Sequence, residues 1–149
     1  MSYERKYNTI DLLPDVAVGI KLPLVGTQGN LFDQSYSTKD QAIANLKNLL
    51  YTIPGERVMQ PLFGTELRSS LFQQNDDVLK EDIEQSIFEA VEFWLPYITI
   101  TQLIVTPVTS FNGSKEEHGV TVSLKVSVNE IVINTPITFL VTTTSITEL

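Results

Sequence analysis

The sequence predicts an α+β fold: helices first, then a small three-stranded antiparallel sheet, all preceded by an N-terminal arm. Three observations predict it. Apolar residues recur at helical spacing after Thr38 and again from Asp76 to Trp94. Beyond Pro96 the apolar period falls from helical to two. Val120, Val122, Leu124, Val126 and Val128 then alternate strictly with Thr121, Ser123, Lys125, Ser127 and Asn129, as a strand with one buried and one wet face requires.

The elements follow in order. Residues 1–37 read as an arm, and residues 38–149 as the body. In the arm, Val16, Val18, Ile20 and Leu22 alternate between Pro14 and Pro23 and could pair as a short strand. A loop with Gly26, Gly29 and Asn30 follows, then Phe32 and Tyr36. An arm with so few apolar residues must pack on the body, dock on a partner or stay mobile. Thr38-Lys39-Asp40-Gln41 fits a reciprocal capping box that starts the first helix. Ile43, Leu46 and Leu50, flanked by Ala42 and Leu49, give its apolar stripe, and Pro54-Gly55 stops it. A loop with Glu56 and Arg57 leads to Pro61-Leu62-Phe63-Gly64, and Thr65 to Phe72 predicts a short helix with Leu67, Leu71 and Phe72 inward.

Asn75 or Asp76 caps the longest helix, Asp76 to Trp94. Leu79, Ile83, Ile87, Ala90, Val91 and Trp94 form one stripe, and Asp77, Glu81, Asp82, Glu84, Glu89 and Glu92 form the other face. Phe88 projects into that acidic face, where it is either covered by another part of the chain or offered to a partner helix. Ile98 to Thr106 reads as a strand with a bulge near Gln102, and Asn112-Gly113 marks a turn. After a tight connection at Asn129-Glu130, one last strand carries Ile131, Ile133, Ile137, Phe139 and Val141 on one face, with Pro136 at an edge or bulge. It runs on into Thr142, Thr143 and Thr144, a β-prone tail with no charge before Glu148. An edge so weakly guarded is expected to accept a strand from elsewhere.

Composition excludes several classes of function. The 149 residues carry a net charge of −8. All of the imbalance lies after residue 68, where Lys80, Lys115 and Lys125 face eleven carboxylates. That is no footprint for a nucleic-acid backbone, which needs clustered Lys and Arg. A solvated face or a basic protein partner fits it better. No apolar run is long enough to span a membrane, and no membrane partner is expected. The start MSYERKYNTIDLLPD has no signal-peptide pattern, so synthesis and use in a cytoplasm is expected. With no Cys and the single His118, disulfides, thiol catalysis, metal and cofactor sites are not expected. Glu56 and Glu66, flanking the Pro61–Gly64 turn, are the one carboxylate pair that could serve glycoside hydrolysis, which would demand a defined separation and an apolar wall. An ion-paired loop around Arg57 and Arg68 is the simpler reading.

The run Leu49-Leu50-Tyr51-Thr52-Ile53-Pro54-Gly55-Glu56-Arg57-Val58-Met59-Gln60-Pro61-Leu62-Phe63-Gly64, with Leu67 and Leu71-Phe72 after it, resembles the signature of the sheath-attaching baseplate wedge proteins of contractile-tail phages. Relatives of that family occur in type VI secretion and other contractile injection systems, and some carry the label lysozyme-like. The resemblance covers roughly residues 30–143. It implies a virion protein of the tail baseplate, assembled in the host cytoplasm, without catalysis. It implies the tail sheath protein and other baseplate wedge proteins as partners, with tail tube or hub proteins as further candidates.

Within the motif, Pro54, Gly55, Glu56, Arg57, Pro61, Phe63, Gly64, Leu71 and Phe72 are expected mainly to hold the fold. Arg57 would pair with Glu66 or with free helix carbonyls, and Phe63 would be a buried plug. Many family members end the long helix in Glu-Pro-Arg, set against the neighbouring wedge bundle. Here the matching residues are Leu95-Pro96-Tyr97, so Phe88, Leu95, Pro96 and Tyr97 are the expected wedge contacts, more apolar than is usual. Ile137, Phe139, Val141, Thr142, Thr143 and Thr144 form the expected sheath-binding edge, where arms of the first sheath ring would exchange strands. A peptidoglycan glycoside hydrolase and a regulatory anti-adaptor of the same fold are the alternatives.

Overall fold

A computed structural model describes Leu13, Asp15 to Leu22, Leu24, and residues 32–70, 77–108, 119–128, 131–132, 136–142 and 146–148. The chain forms two compact units, Met1–Asn48 and Leu49–Leu149, with the boundary inside the first helix.

In the first unit, strands β1 (Gly19–Ile20) and β2 (Gln34–Ser35) pair antiparallel, with Gly19 opposite Ser35. Backbone bonds from Val18 N to Ser35 O at 2.8 Å and from Lys21 N to Asp33 O at 2.9 Å extend the ribbon. Helix α1 (Thr38–Tyr51) follows. Its cap is Ser37, one residue before the expected one, whose Oγ accepts the Lys39 N–H at 3.2 Å. The Gln41 amide does not reach back as in a capping box. Its Oε1 accepts the buried Ser35 hydroxyl at 2.6 Å, and its Nε2 donates to Asn45 Oδ1 at 2.9 Å. A Cβ at Gly19 would run into that same carboxamide, so a larger residue there would have to displace the end of the Gln41 side chain and its two hydrogen bonds. Ala42, Leu46, Leu49 and Leu50 are the buried stripe of α1, whereas Ile43 is half-exposed.

In the second unit, α2 (Leu67–Ser70) and α3 (Asp77–Trp94) precede the sheet. Leu79, Ile83, Ile87 and Val91 of α3 are buried, as the helical period predicts. Leu71, Phe72, Asp76, the Asn112-Gly113 turn and His118 lie outside the described residues.

Strand β3 (Ile98–Val108) pairs antiparallel with β4 (Gly119–Val128), and the register slips between Ile100 and Gln102, where a bulge was expected. The alternation in β4 holds: Val120, Val122, Leu124, Val126 and Val128 are buried, while Thr121, Ser123, Lys125 and Ser127 are half-buried.

Among the described residues, the expected last strand falls into two pieces that pair with β4 in different registers. β5 (Ile131–Val132) pairs with the end of β4, β6 (Ile137–Thr142) pairs with its beginning, and exposed Pro136 precedes β6. The chain then folds back as β7 (Ile146–Glu148), giving the order β3-β4-β6-β7 with β5 beside β4. The fold class is α+β, with a sheet that is larger than expected.

Candidate functional site

The loop from Thr52 to Thr65 is closed by its own hydrogen bonds. Gly55 N donates to Pro61 O at 2.7 Å, Glu56 N to Ile53 O at 3.1 Å and Phe63 N to Gln60 O at 3.1 Å. The Glu56 carboxylate accepts the Ile53 N–H at 3.1 Å, so its job here is to hold the turn. Thr65 ties the loop back to the end of α1, its N–H donating to Thr52 O at 3.0 Å and its hydroxyl to Leu50 O at 3.2 Å. Gly55 has φ 97 and Gly64 φ 131, backbone geometry that side chains resist. At Gly64 an added Cβ would also meet the Thr52 carbonyl.

Arg57 departs from expectation. Its guanidinium lies 3.9 Å from the Phe63 ring centroid, in a cation–π contact, and among the described residues it forms no ion pair with Glu66. Phe63 is buried, as expected of a plug, and its ring meets Trp94 edge-on at 5.2 Å. Trp94 in turn meets Phe93 at 4.9 Å. One continuous series of rings, Phe63-Trp94-Phe93, therefore joins the motif loop to the C-terminal turn of α3.

This series ends at the surface. Phe93 is 73% exposed, and Leu62 on the loop is 79% exposed. They line an open groove of about 760 Å³ together with Pro54, Ala90 and Trp94. Its charged lining residues are Glu66, Asp82 and Glu89, all acidic. Val58 and Met59, at the loop tip, are 95% and 92% exposed.

The expected wedge residues are not gathered into this groove. Leu95 is buried and belongs to the core: its N–H continues the helix to Val91 O and its carbonyl accepts the Ile98 N–H, which turns the side chain inward. Pro96 and Tyr97 do face outward. Phe88 is 46% exposed but stands five positions from Phe93, about 140° around the helix, so the two rings belong to different faces. Sequence reasoning passed over Phe93, Leu62, Val58 and Met59. The available signal was apolar residues inside an otherwise polar loop and off the stripe of α3.

The expected sheath-binding edge is altered too. Phe139, Leu140 and Val141 pair with Glu148, Thr147 and Ile146, so the outer edge of β6 is occupied by the chain itself. The side chains of Ile137, Phe139 and Val141 are buried, Thr142 ends β6, and Thr143 and Thr144 lie outside the described residues.

With this geometry established, the relatives are informative. The family model described as baseplate wedge protein gp25 matches residues 37–131. The chain belongs to the baseplate wedge protein gp25 family. Two solved structures share the fold of this wedge protein. A chain in the 6-fold symmetrised cryo-EM structure of the anti-feeding prophage baseplate is 20% identical, with a TM-score of 0.60 over 75% of this chain and 85% of that one. A crystal structure of a candidate tail lysozyme from Geobacter sulfurreducens is 23% identical, with a TM-score of 0.56 over 71% of this chain and 89% of that one. A comparison with curated proteins finds no match. The wedge family gives this chain a structural role in a phage or contractile-injection baseplate, among the other proteins of that assembly.

Proposed function

We propose that the chain is a non-enzymatic wedge subunit that links the baseplate to the first sheath ring and templates sheath assembly by strand exchange. The observation that carries this reading is the β6 edge. It is a six-residue strand held firmly by β4 on one side and by only the three-residue β7 on the other. A sheath arm that replaced β7 would gain main-chain hydrogen bonds without needing particular side chains, and the freed tail would be handed to the sheath in return.

The wedge side of the same subunit is the groove at Leu62, Phe93 and Trp94, together with Pro96 and Tyr97. Apolar walls under an acidic rim fit an amphipathic helix with Lys or Arg along its flanks. The arm at residues 1–37, almost wholly outside the family match, would add contacts to the wedge, tube or hub. Assembly would take place in the host cytoplasm and end in the virion tail.

Glycan hydrolysis is the weaker reading. Glu56 and Glu66 are both exposed and Glu56 is engaged in its own turn, whereas a glycosidase acid rests against an apolar wall. The test is a chain lacking residues 143–149, introduced into assembling particles. The open β6 edge could still accept a sheath arm, but no tail could be handed over in return, so baseplates with absent or defective sheath are expected; normal sheath on such particles would refute reciprocal strand exchange.

A further inference from the structure

We infer that β7 is an internal stand-in strand, which keeps the β6 edge closed until a partner strand replaces it. The exchange step rests on the sheath-linkage reading above; the covering role does not.

The two ends of the sheet are protected differently. β3, at one end, is long but interrupted: its register slips between Ile100 and Gln102, and Pro107 near its end has no N–H to offer. β6 has no such guard in its own sequence, Ile-Thr-Phe-Leu-Val-Thr, which is uncharged, β-prone and free of Pro. Exposed, it would be a template for a second copy of itself. What covers it is β7, paired at Phe139, Leu140 and Val141.

β7 is suited to leave. It is three residues long and paired at three positions, so its ladder returns little beyond the entropy of ordering those residues. β6 would stay behind. It is held by six paired positions to β4, from Gly119↔Thr142 to Leu124↔Ile137, and by the buried side chains of Ile137, Phe139, Leu140 and Val141. Release of β7 therefore opens the edge without dismantling the sheet.

The covering role is tested on the protein alone. Removal of residues 143–149 should leave the circular dichroism spectrum largely intact. It should shift the protein to dimers or larger species by light scattering, and a synthetic peptide of residues 143–149 should reverse the shift. Thr147→Pro, which puts a proline into β7, should give the same shift and speed exchange of those amides of Phe139–Val141 that face β7 by about tenfold or more. Both variants keeping the association state and exchange rates of the full chain would overturn the inference.

The exchange step uses the absence of cysteine. Val141 and Ile146 are direct partners, so Val141→Cys with Ile146→Cys can lock β7 in place. The oxidised chain should lose sheath attachment, and the reduced chain should regain it. Equal attachment in both states overturns the exchange step while sheath linkage stands. No attachment by the native chain overturns sheath linkage and the exchange step together, and the association experiment still decides the covering role.

Discussion

The Thr65 hydroxyl donates to the Leu50 carbonyl at 3.2 Å, and both residues are buried. This bond fastens the motif loop to the last turn of α1, where helix carbonyls have no partner within the helix. Thr65→Val keeps the shape and leaves that carbonyl unsatisfied, so stability should fall by about 1–3 kcal/mol. Thr65→Ser should recover most of it. Urea denaturation of the three proteins measures the difference.

The two positive-φ glycines should respond unequally. Gly64→Ala adds left-handed strain and drives a Cβ at the Thr52 carbonyl, which already receives the Thr65 N–H. A loss of about 2–3 kcal/mol is expected. Gly55→Ala meets no atom within 4 Å and should lose only about 1 kcal/mol, from conformation alone. Equal losses in thermal melts would contradict this geometry.

Arg57 and Phe63 should separate in size of effect. Phe63→Ala empties a buried site and should lose about 3–5 kcal/mol. Arg57→Gln removes a cation–π contact at a half-exposed site and should lose about 0.5–1 kcal/mol. If Arg57 were held by an ion pair instead, its loss would shrink markedly in high salt, whereas the ring contact predicts a weak salt dependence.

Leu62→Glu with Phe93→Glu tests the groove. Both side chains are largely exposed, so the melting temperature should change little. Two more carboxylates beside Glu66, Asp82 and Glu89 should still exclude the chain from assembled baseplates. Unchanged incorporation, followed by quantitative mass spectrometry of particles, would remove the groove from the account.

Strong periodicity made much of this fold legible. The stripe of Leu79, Ile83, Ile87 and Val91 and the alternation from Val120 to Val128 each admit one secondary structure, and the bulge near Gln102 showed as a slip of phase. Short-range chemistry was harder to place. Ser37 and Thr38 are equally good caps, and only the use of Gln41 by Ser35 and Asn45 decides between them. Ring contacts were invisible for a different reason: Arg57, Phe63, Trp94 and Phe93 meet through a loop geometry that no sequence spacing encodes. The return of β7 was missed because Val141 to Ile146 is β-prone throughout, so nothing in its pattern marks where one strand ends and another begins.

Under the proposed function, this wedge subunit carries the sheath. Electron microscopy of assembled particles, at a resolution that traces individual strands, tests it directly. The account predicts this chain at the sheath-proximal face of the baseplate, with a sheath strand lying against Phe139–Val141 where β7 sits in the isolated protein. A chain found away from the sheath, or touching it while β7 remains paired with β6, would contradict it.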